Sequence, residues 1–84
     1  MKNKVLVEIL VPSIEEKYDV YLPINKKVGN VINLLMNAII EASNGVFTSS
    51  STVCLYNSVT GFKYEIDKLV YDTDIRNGSI LVLM

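Results

Sequence analysis

Apolar and polar residues alternate along the first 22 residues, and this alternation predicts two strands. Residues 4–11 place four branched aliphatics on one face: Val5, Val7, Ile9 and Val11. After a polar stretch over 12–17, Tyr18–Leu22 alternates again, with Asp19 and Tyr21 on the outer side. A period of two is typical of half-buried strands, and two such strands joined by a short polar link indicate a β-hairpin.

The period then lengthens to that of a helix. Apolar residues recur at spacings of three and four, at Val28, Val31, Ile32, Leu35, Ile39 and Ala42, which form one buried stripe. We predict that the helix ends at Asn44-Gly45, because glycine suits the left-handed cap position. Asn25 is the candidate N-cap, but Lys26 and Lys27 oppose the helix dipole by ~0.3–1 kcal/mol each. Packing must therefore stabilise this helix more than its end signals do.

The remainder of the chain predicts short strands separated by turns. A polar loop over 47–52 precedes a strand at Val53–Tyr56, and a turn over 57–61 leads to a brief edge strand over 62–66. An irregular segment over 67–76 contributes Leu69 and Ile75 to the core, and Ser79–Met84 is the last strand. The order β-β-α-β-β-β predicts an α+β protein in which one helix crosses one face of a mixed sheet. We expect the first and last strands to be parallel neighbours, the β-grasp arrangement, in one domain over 1–84.

Composition narrows the classes of partner. The 84 residues are 50% hydrophobic and 20% charged, so some apolar side chains are expected to face outward, toward a protein partner. The net charge is −1, and basic residues cluster only at Lys26-Lys27, so nucleic acid is not an expected partner. Cys54 is the one cysteine and has no internal disulfide partner, which favours a reducing, cytoplasmic location. No apolar run approaches 18 residues, so direct membrane insertion is not expected.

Candidate chemistry is sparse. The chain has no histidine, the usual general base near neutral pH, and Cys54 is interpreted as a small apolar filler of a strand. Asp72, Asp74 and Asn77 resemble the start of a calcium loop, but Arg76 stands at a ligand position and no glutamate closes the loop. We therefore expect no catalytic residues, no metal and no cofactor, and we do not expect an enzyme.

The hairpin, the helix phase and the ending Ile75–Leu83 resemble ubiquitin-like proteins over nearly the whole chain. Within that superfamily the chain is most similar to the small YukD-like (EsaB-like) proteins encoded with bacterial type VII secretion systems. The similarity rests on size and on a loosely spaced ending, read at Asp72, Asp74, Ile75, Asn77, Gly78, Leu81 and Leu83. It implies a cytosolic accessory protein for export of small helical-hairpin substrates, with components of the secretion machine as partners. The ending Val82-Leu83-Met84 lacks the Gly-Gly tail of a conjugated modifier or sulfur carrier, so we expect the domain to be bound rather than attached.

Strand parity also predicts a partner-binding face. Parity places Leu6, Ile80 and Val82 on the outer sheet face, with Glu8 as the only charge, and the third strand adds either Cys54 and Tyr56 or Val53 and Leu55. The ubiquitin-like resemblance favours Cys54 and Tyr56 on the outer face, and it implies that this face carries a recognition patch. Ordinary exposed apolar surface is the alternative interpretation. A second candidate surface is the asparagine-rich helix face of Gly29, Asn30, Asn33, Asn37, Ile40 and Glu41, with Leu34 and Met36 at the core rim.

The alternative function is a regulatory or homodimerising interaction module unrelated to secretion.

Overall fold

A computed structural model describes residues 3–44 and 53–84 of the chain. Strands β1 (Lys4–Val11) and β2 (Glu16–Pro23) form the hairpin, helix α1 covers Val28–Ala42, and β3 (Leu55–Asn57) and β4 (Ile80–Leu83) follow. The sheet order is β2-β1-β4-β3. β1 and β4 run parallel at the centre, while β2 and β3 flank them antiparallel. The predicted α+β architecture is confirmed, including its central parallel pair.

The core lies between α1 and one face of the sheet. Its members alternate along the strands and recur at helical spacing along α1, as the period of each element requires. The buried set is Val5, Val7, Ile9, Val11, Leu22, Val28, Val31, Ile32, Leu35, Ile39, Leu55, Val70, Ile75, Leu81 and Leu83. No described polar or charged side chain is buried, so the core stabilises the fold through apolar contact alone.

The hairpin turn is tighter than predicted. Pro12–Ile14 form one 3-10 turn, and Glu15 adopts a left-handed conformation (φ 52°) with its N–H donating to the carbonyl of Pro12 at 3.1 Å. β2 therefore begins at Glu16, two residues before the predicted Tyr18. The predicted faces of β2 hold, because Leu22 is buried while Asp19 and Tyr21 are exposed.

The start of α1 differs from the sequence prediction. Lys27, not Asn25, is the N-cap residue, and no side chain caps the helix there. Backbone carbonyls from a distant segment do so instead: the N–H of Val28 donates to Lys68 at 2.8 Å, and that of Gly29 donates to Ile66 at 3.0 Å. These acceptors satisfy donors that every helix start leaves unpaired.

The Gly29 position has a steric reason. A Cβ built on Gly29 would lie 3.3 Å from the carbonyl oxygen of Ile66, which is closer than an ordinary contact. The absence of a side chain lets the segment over 66–68 approach the helix start closely enough to cap it.

The end of α1 also departs from the prediction. Ala42 is exposed, so the buried stripe ends at Ile39 and the prediction of Ala42 as a core residue is wrong. Asn44 takes the left-handed conformation (φ 55°) that the sequence assigned to glycine. Asparagine tolerates this region better than most residues. Gly45 and the predicted loop over 47–52 lie outside the described residues.

The second half of the chain is more irregular than the six-element order predicts. β3 begins two residues later and ends one residue later than the predicted Val53–Tyr56, and β4 is one residue shorter at each end than predicted. Over 62–66 the predicted edge strand is reduced to a single bridge between Tyr56 and Lys63. Leu69 is partly exposed, and Val70 is the buried residue of its turn, because the N–H of Val70 donates to the Lys26 carbonyl at 2.9 Å and fixes that register. The prediction for Ile75 is confirmed.

Candidate functional site: the outer face of the sheet

The outer sheet face brings the six predicted partner-binding residues into one neighbourhood. In the register of β1 and β4, Glu8 lies opposite Ile80, and Leu10 lies opposite Val82. Val82 lies opposite Tyr56 of β3 on its other side. Side chains two residues apart on one strand share a face, so Leu6 and Glu8 are also neighbours along β1.

Cys54 and Met84 extend this row beyond the strands. The N–H of Cys54 donates to the carbonyl of Met84 at 2.8 Å, and the N–H of Met84 donates to that of Cys54 at 3.1 Å. Their parity relative to the buried Leu55 and Leu83 places both on the outer face. Cys54 is half-buried there, which agrees with its interpretation as a filler.

The structure adds three residues to the predicted set. Leu10 on β1 lies opposite Val82 on β4, and Tyr21 on β2 lies opposite Leu6 on β1. Met84 directly follows β4. We call these nine residues the outer patch: Leu6, Glu8, Leu10, Tyr21, Cys54, Tyr56, Ile80, Val82 and Met84. Alternation along β1, β2 and β4 already indicated that all three face outward, and only the position of Tyr21 opposite Leu6 required the hairpin register.

Exposure within the outer patch is highest at Met84 (57%) and Tyr21 (56%). Leu6 is 41% exposed and Ile80 is 42% exposed, while Leu10, Tyr56 and Val82 are half-buried by their neighbours. Six of its nine side chains are aliphatic or aromatic and a seventh is Met84. The register places Leu10, Val82 and Tyr56 in one row across three strands, so the face is a contiguous apolar surface rather than scattered exposed residues.

Charge borders the outer patch on its β2 side. The sequence predicted Glu8 as the only charge of this face, and this is wrong: Asp19 lies opposite Glu8, and Lys17 lies opposite Leu10. The Lys17 Nζ is 3.9 Å from the Glu8 Oε1. An exposed ion pair of this kind contributes little to stability, so these charges shape the rim more than they hold the fold.

A turn between the central strands orients the Leu6 end of the outer patch. Asn77 Oδ1 accepts the N–H of Leu6 at 2.8 Å, and the N–H of Gly78 donates to the Leu6 carbonyl at 2.8 Å. Gly78 has φ 88°, a conformation that suits glycine. The Asn-Gly pair thus fixes where β4 enters beside β1.

Two exposed side chains near the outer patch were missed by sequence reasoning. Val59 is 87% exposed and Phe62 is 75% exposed, both in the loop after β3. The N–H of Ser58 donates to the Ile80 carbonyl at 3.1 Å, which holds this loop beside β4. The available signal for Val59 was an apolar residue within the predicted turn over 57–61, whereas Phe62 had been predicted as the first residue of the edge strand over 62–66.

Asp74, in the segment before β4, is hydrogen-bonded to Asn57 and Tyr64 on the two sides of this loop. Its carboxylate accepts the Tyr64 hydroxyl at 2.5 Å and the Asn57 side-chain amide at 3.1 Å. Burial, and then the hydrogen bond to Asp74, raises the pKa of Tyr64 to about 12. The oxygens of Asp74 and Asn77 that resembled calcium ligands therefore serve internal hydrogen bonds. Among residues 3–44 and 53–84, no group of three or more histidine, cysteine or acidic side chains is arranged to hold a metal ion.

The asparagine-rich face of α1 is partly as predicted. Asn30, Asn33 and Asn37 are exposed, but Ile40 packs against the core and Gly29 is covered by Ile66. Met36 lies at the core rim as predicted. Leu34 does not: it is 55% exposed on the helix surface. This face is more polar and less continuous than the outer patch.

Comparison with known proteins identifies the class of fold. No protein-family model and no curated protein sequence matches the chain. Solved structures do match, and the chain has a ubiquitin-like β-grasp fold. The neighbours include ubiquitin-like EccD domains of mycobacterial type VII secretion systems.

Two of these structures are domains of similar size, and a third is a much larger chain. The ubiquitin-like domain of the Mycobacterium tuberculosis type VII secretion protein ECCD1 has a TM-score of 0.74 and 19% identity, covering 95% of this chain and 96% of that domain. The EccD5 ubiquitin-like domain from Mycobacterium xenopi has a TM-score of 0.79 and 13% identity, covering 96% and 92%. A chain of the MycP5-free ESX-5 inner membrane complex has a TM-score of 0.80 and 12% identity over 98% of this chain. Our chain spans 21% of that larger one. At these identities the likeness shows the fold alone.

Helix α1 is shorter than a helix that crosses a bilayer. α1 has 15 residues. Within the described parts of the chain, no helix combines the length and the apolar run needed to cross a bilayer.

Proposed function

We propose that this chain is a protein-interaction module that binds its partner through the outer patch. The observation that carries the proposal is the continuity of that surface across three strands, from Leu10 on β1 to Val82 on β4 and Tyr56 on β3. A contiguous apolar face with a charged border is typical of protein contacts. No catalytic role is included in this proposal.

We further propose that the partner belongs to a type VII-like secretion machine and that the chain acts as its cytoplasmic accessory or adaptor. The support is the shared fold with EccD ubiquitin-like domains and with part of an inner membrane complex. Those proteins show a setting in which a domain of this shape occurs within a secretion assembly. The YukD-like resemblance of the sequence points to the same setting.

Magnitudes indicate that one outer patch alone binds weakly. Burying four aliphatic side chains contributes on the order of 6–12 kcal/mol at most. Association itself costs roughly 4–15 kcal/mol in lost freedom. A partner that engages more area, or two patches at once, would bind appreciably more tightly.

The test compares two surface variants in cells that carry the gene. Leu6→Asp combined with Ile80→Asp places two charges on the outer patch at positions that are already partly exposed. Leu34→Asp, on the exposed side of α1, is the matched control. We expect the double variant to lose capture of inner-membrane secretion components and to fail to restore substrate export in a deletion strain. The control should behave as the wild type in both assays.

Two results would contradict the proposal at different levels. Full complementation by the double variant, with normal circular dichroism, would remove the outer patch as the contact surface. A deletion strain that exports its substrates normally would remove the secretion role and favour the alternative, a regulatory interaction module unrelated to secretion.

A further inference from the structure

The two edges of the sheet are not equivalent. At the β3 edge, the N–H of Asn57 donates to the Phe62 carbonyl at 2.9 Å, and the N–H of Tyr64 donates to the Leu55 carbonyl at 2.9 Å. The segment over 62–64 therefore covers that edge. β2 is the other edge, and it is twice as long as β4 and more regular than β3.

The hairpin register shows which backbone groups of β2 face outward. The N–H of Ile24 donates to the Asn3 carbonyl at 2.8 Å, so this opposed pair is hydrogen-bonded. Hydrogen-bonded and non-hydrogen-bonded pairs alternate along an antiparallel ladder. The N–H and C=O groups of Lys17, Asp19 and Tyr21 consequently point away from β1. No residue within 3–44 or 53–84 pairs with this edge.

The side chains along this edge are self-complementary in charge. Lys17 and Asp19 are exposed, carry opposite charges and lie two residues apart on the same face. If two copies of β2 meet antiparallel around a two-fold axis at Tyr18, each Lys17 lies opposite Asp19 of the second copy. A register centred on Asp19 would instead oppose two carboxylates. Like charges directly opposite each other destabilise a strand pair, so charge selects the first register.

From this edge we infer that a second copy of the chain docks on β2, forming a two-fold dimer with one continuous eight-stranded sheet. Each of its two Lys17–Asp19 pairs exchanges both backbone hydrogen bonds and adds an ion pair. Charged residues on an edge normally discourage strand pairing. Here their alternating signs discourage other partners while matching an identical strand, as symmetric interfaces require.

The helix side of the edge has room for this contact. Ala42 lies beside Ile14, Glu16 and Tyr18 along a groove between α1 and β2, and the lining residues at the end of α1, Ala42, Ser43 and Asn44, carry no charge. The dimer also places two outer patches side by side on one sheet face, since Tyr21 of that patch lies on β2 itself. A partner with two binding segments would then engage both.

The test is a charge-swap cycle measured by sedimentation equilibrium across micromolar to millimolar concentrations. The wild type should dimerise weakly. Lys17→Asp makes positions 17 and 19 both acidic and Asp19→Lys makes them both basic, so each alone should weaken the dimer by about tenfold or more. The double variant Lys17→Asp/Asp19→Lys should recover wild-type association, and an equimolar mixture of the two single variants should form a heterodimer. Thermal melts of each variant establish that it is folded.

The outcomes separate this dimer from other assemblies. A wild type that stays monomeric throughout the concentration range overturns the inference. A dimer whose strength is unchanged by either single swap overturns it too, because association then uses another surface. Mixed single variants that fail to associate, although folded, would show that Lys17 and Asp19 do not meet across the interface.

Discussion

Replacing two leucines on opposite faces of the central strands tests the strand parity directly. Leu81 on β4 is fully buried beneath α1, opposite Ile9 in the register, whereas Leu6 on β1 is 41% exposed on the outer patch. Leu→Ala removes the same atoms at both sites. Only the environment of those atoms differs, so the comparison isolates burial.

The expected losses follow from that difference. Leu81→Ala leaves a cavity in a closed core and should lower the free energy of unfolding by about 3–5 kcal/mol. Leu6→Ala removes a side chain that contributes only part of its burial energy, and it should cost about 1 kcal/mol. A domain of this length has a total stability of roughly 4–13 kcal/mol. Leu81→Ala therefore removes a large share of it.

Urea unfolding followed by far-UV circular dichroism measures both values on one scale. If Leu81→Ala leaves too little folded protein, Leu81→Met is a milder comparison, expected to cost under about 1.5 kcal/mol because volume is conserved. Equal losses at the two sites, or a larger loss at Leu6, would refute the assignment of inner and outer faces.

Two further predictions concern polar contacts. Asn77→Ala should cost about 1 kcal/mol because the N–H of Leu6 loses its acceptor, while Asn77→Asp should cost less because an acceptor oxygen remains; equal losses in urea unfolding would contradict this. The pKa of Tyr64 is raised from 10.0 to about 12 in the folded state, so its contribution is complete below pH 10 and falls as pH rises toward 12. The stability advantage of the wild type over Tyr64→Phe should therefore shrink between pH 9 and pH 11.5, and an advantage that grows over this range would refute the assigned shift.

The alternation of apolar and polar side chains along the strands was the most reliable information in the sequence. It placed Val7 and Leu81 under the helix and Leu6 and Ile80 outside, because a pleated strand alternates its side chains whatever surrounds it. The helix stripe from Val28 to Ile39 was readable for the equivalent reason at the helical period. The positions of Leu6, Glu8, Ile80 and Val82 on one sheet face followed from these periods, and those of Cys54 and Tyr56 from the ubiquitin-like resemblance. The binding role of all six stays a prediction.

The start of the helix and the irregular segments were harder to predict from the sequence. Asn25 has the preferred chemistry of a cap, yet α1 starts after Lys27, where carbonyls of Ile66 and Lys68 replace a side-chain cap. The residues around the helix start do not indicate a hydrogen-bond acceptor that lies almost forty residues further along the chain. The exposure of Leu69 instead of Val70 has the same origin, since a backbone hydrogen bond to Lys26 sets that turn.

The sequence by itself determined the hairpin, the helix, the last strand, the buried face of each and the β-grasp order, because these depend on local periodicity and on burying one apolar stripe against one apolar face. Only the tertiary structure decided how the helix start is capped, which charges border the outer patch and which sheet edge stays open. Those features arise where segments distant in sequence meet. Their hydrogen bonds and charge pairs depend on relative position, which hydrophobic periodicity does not encode.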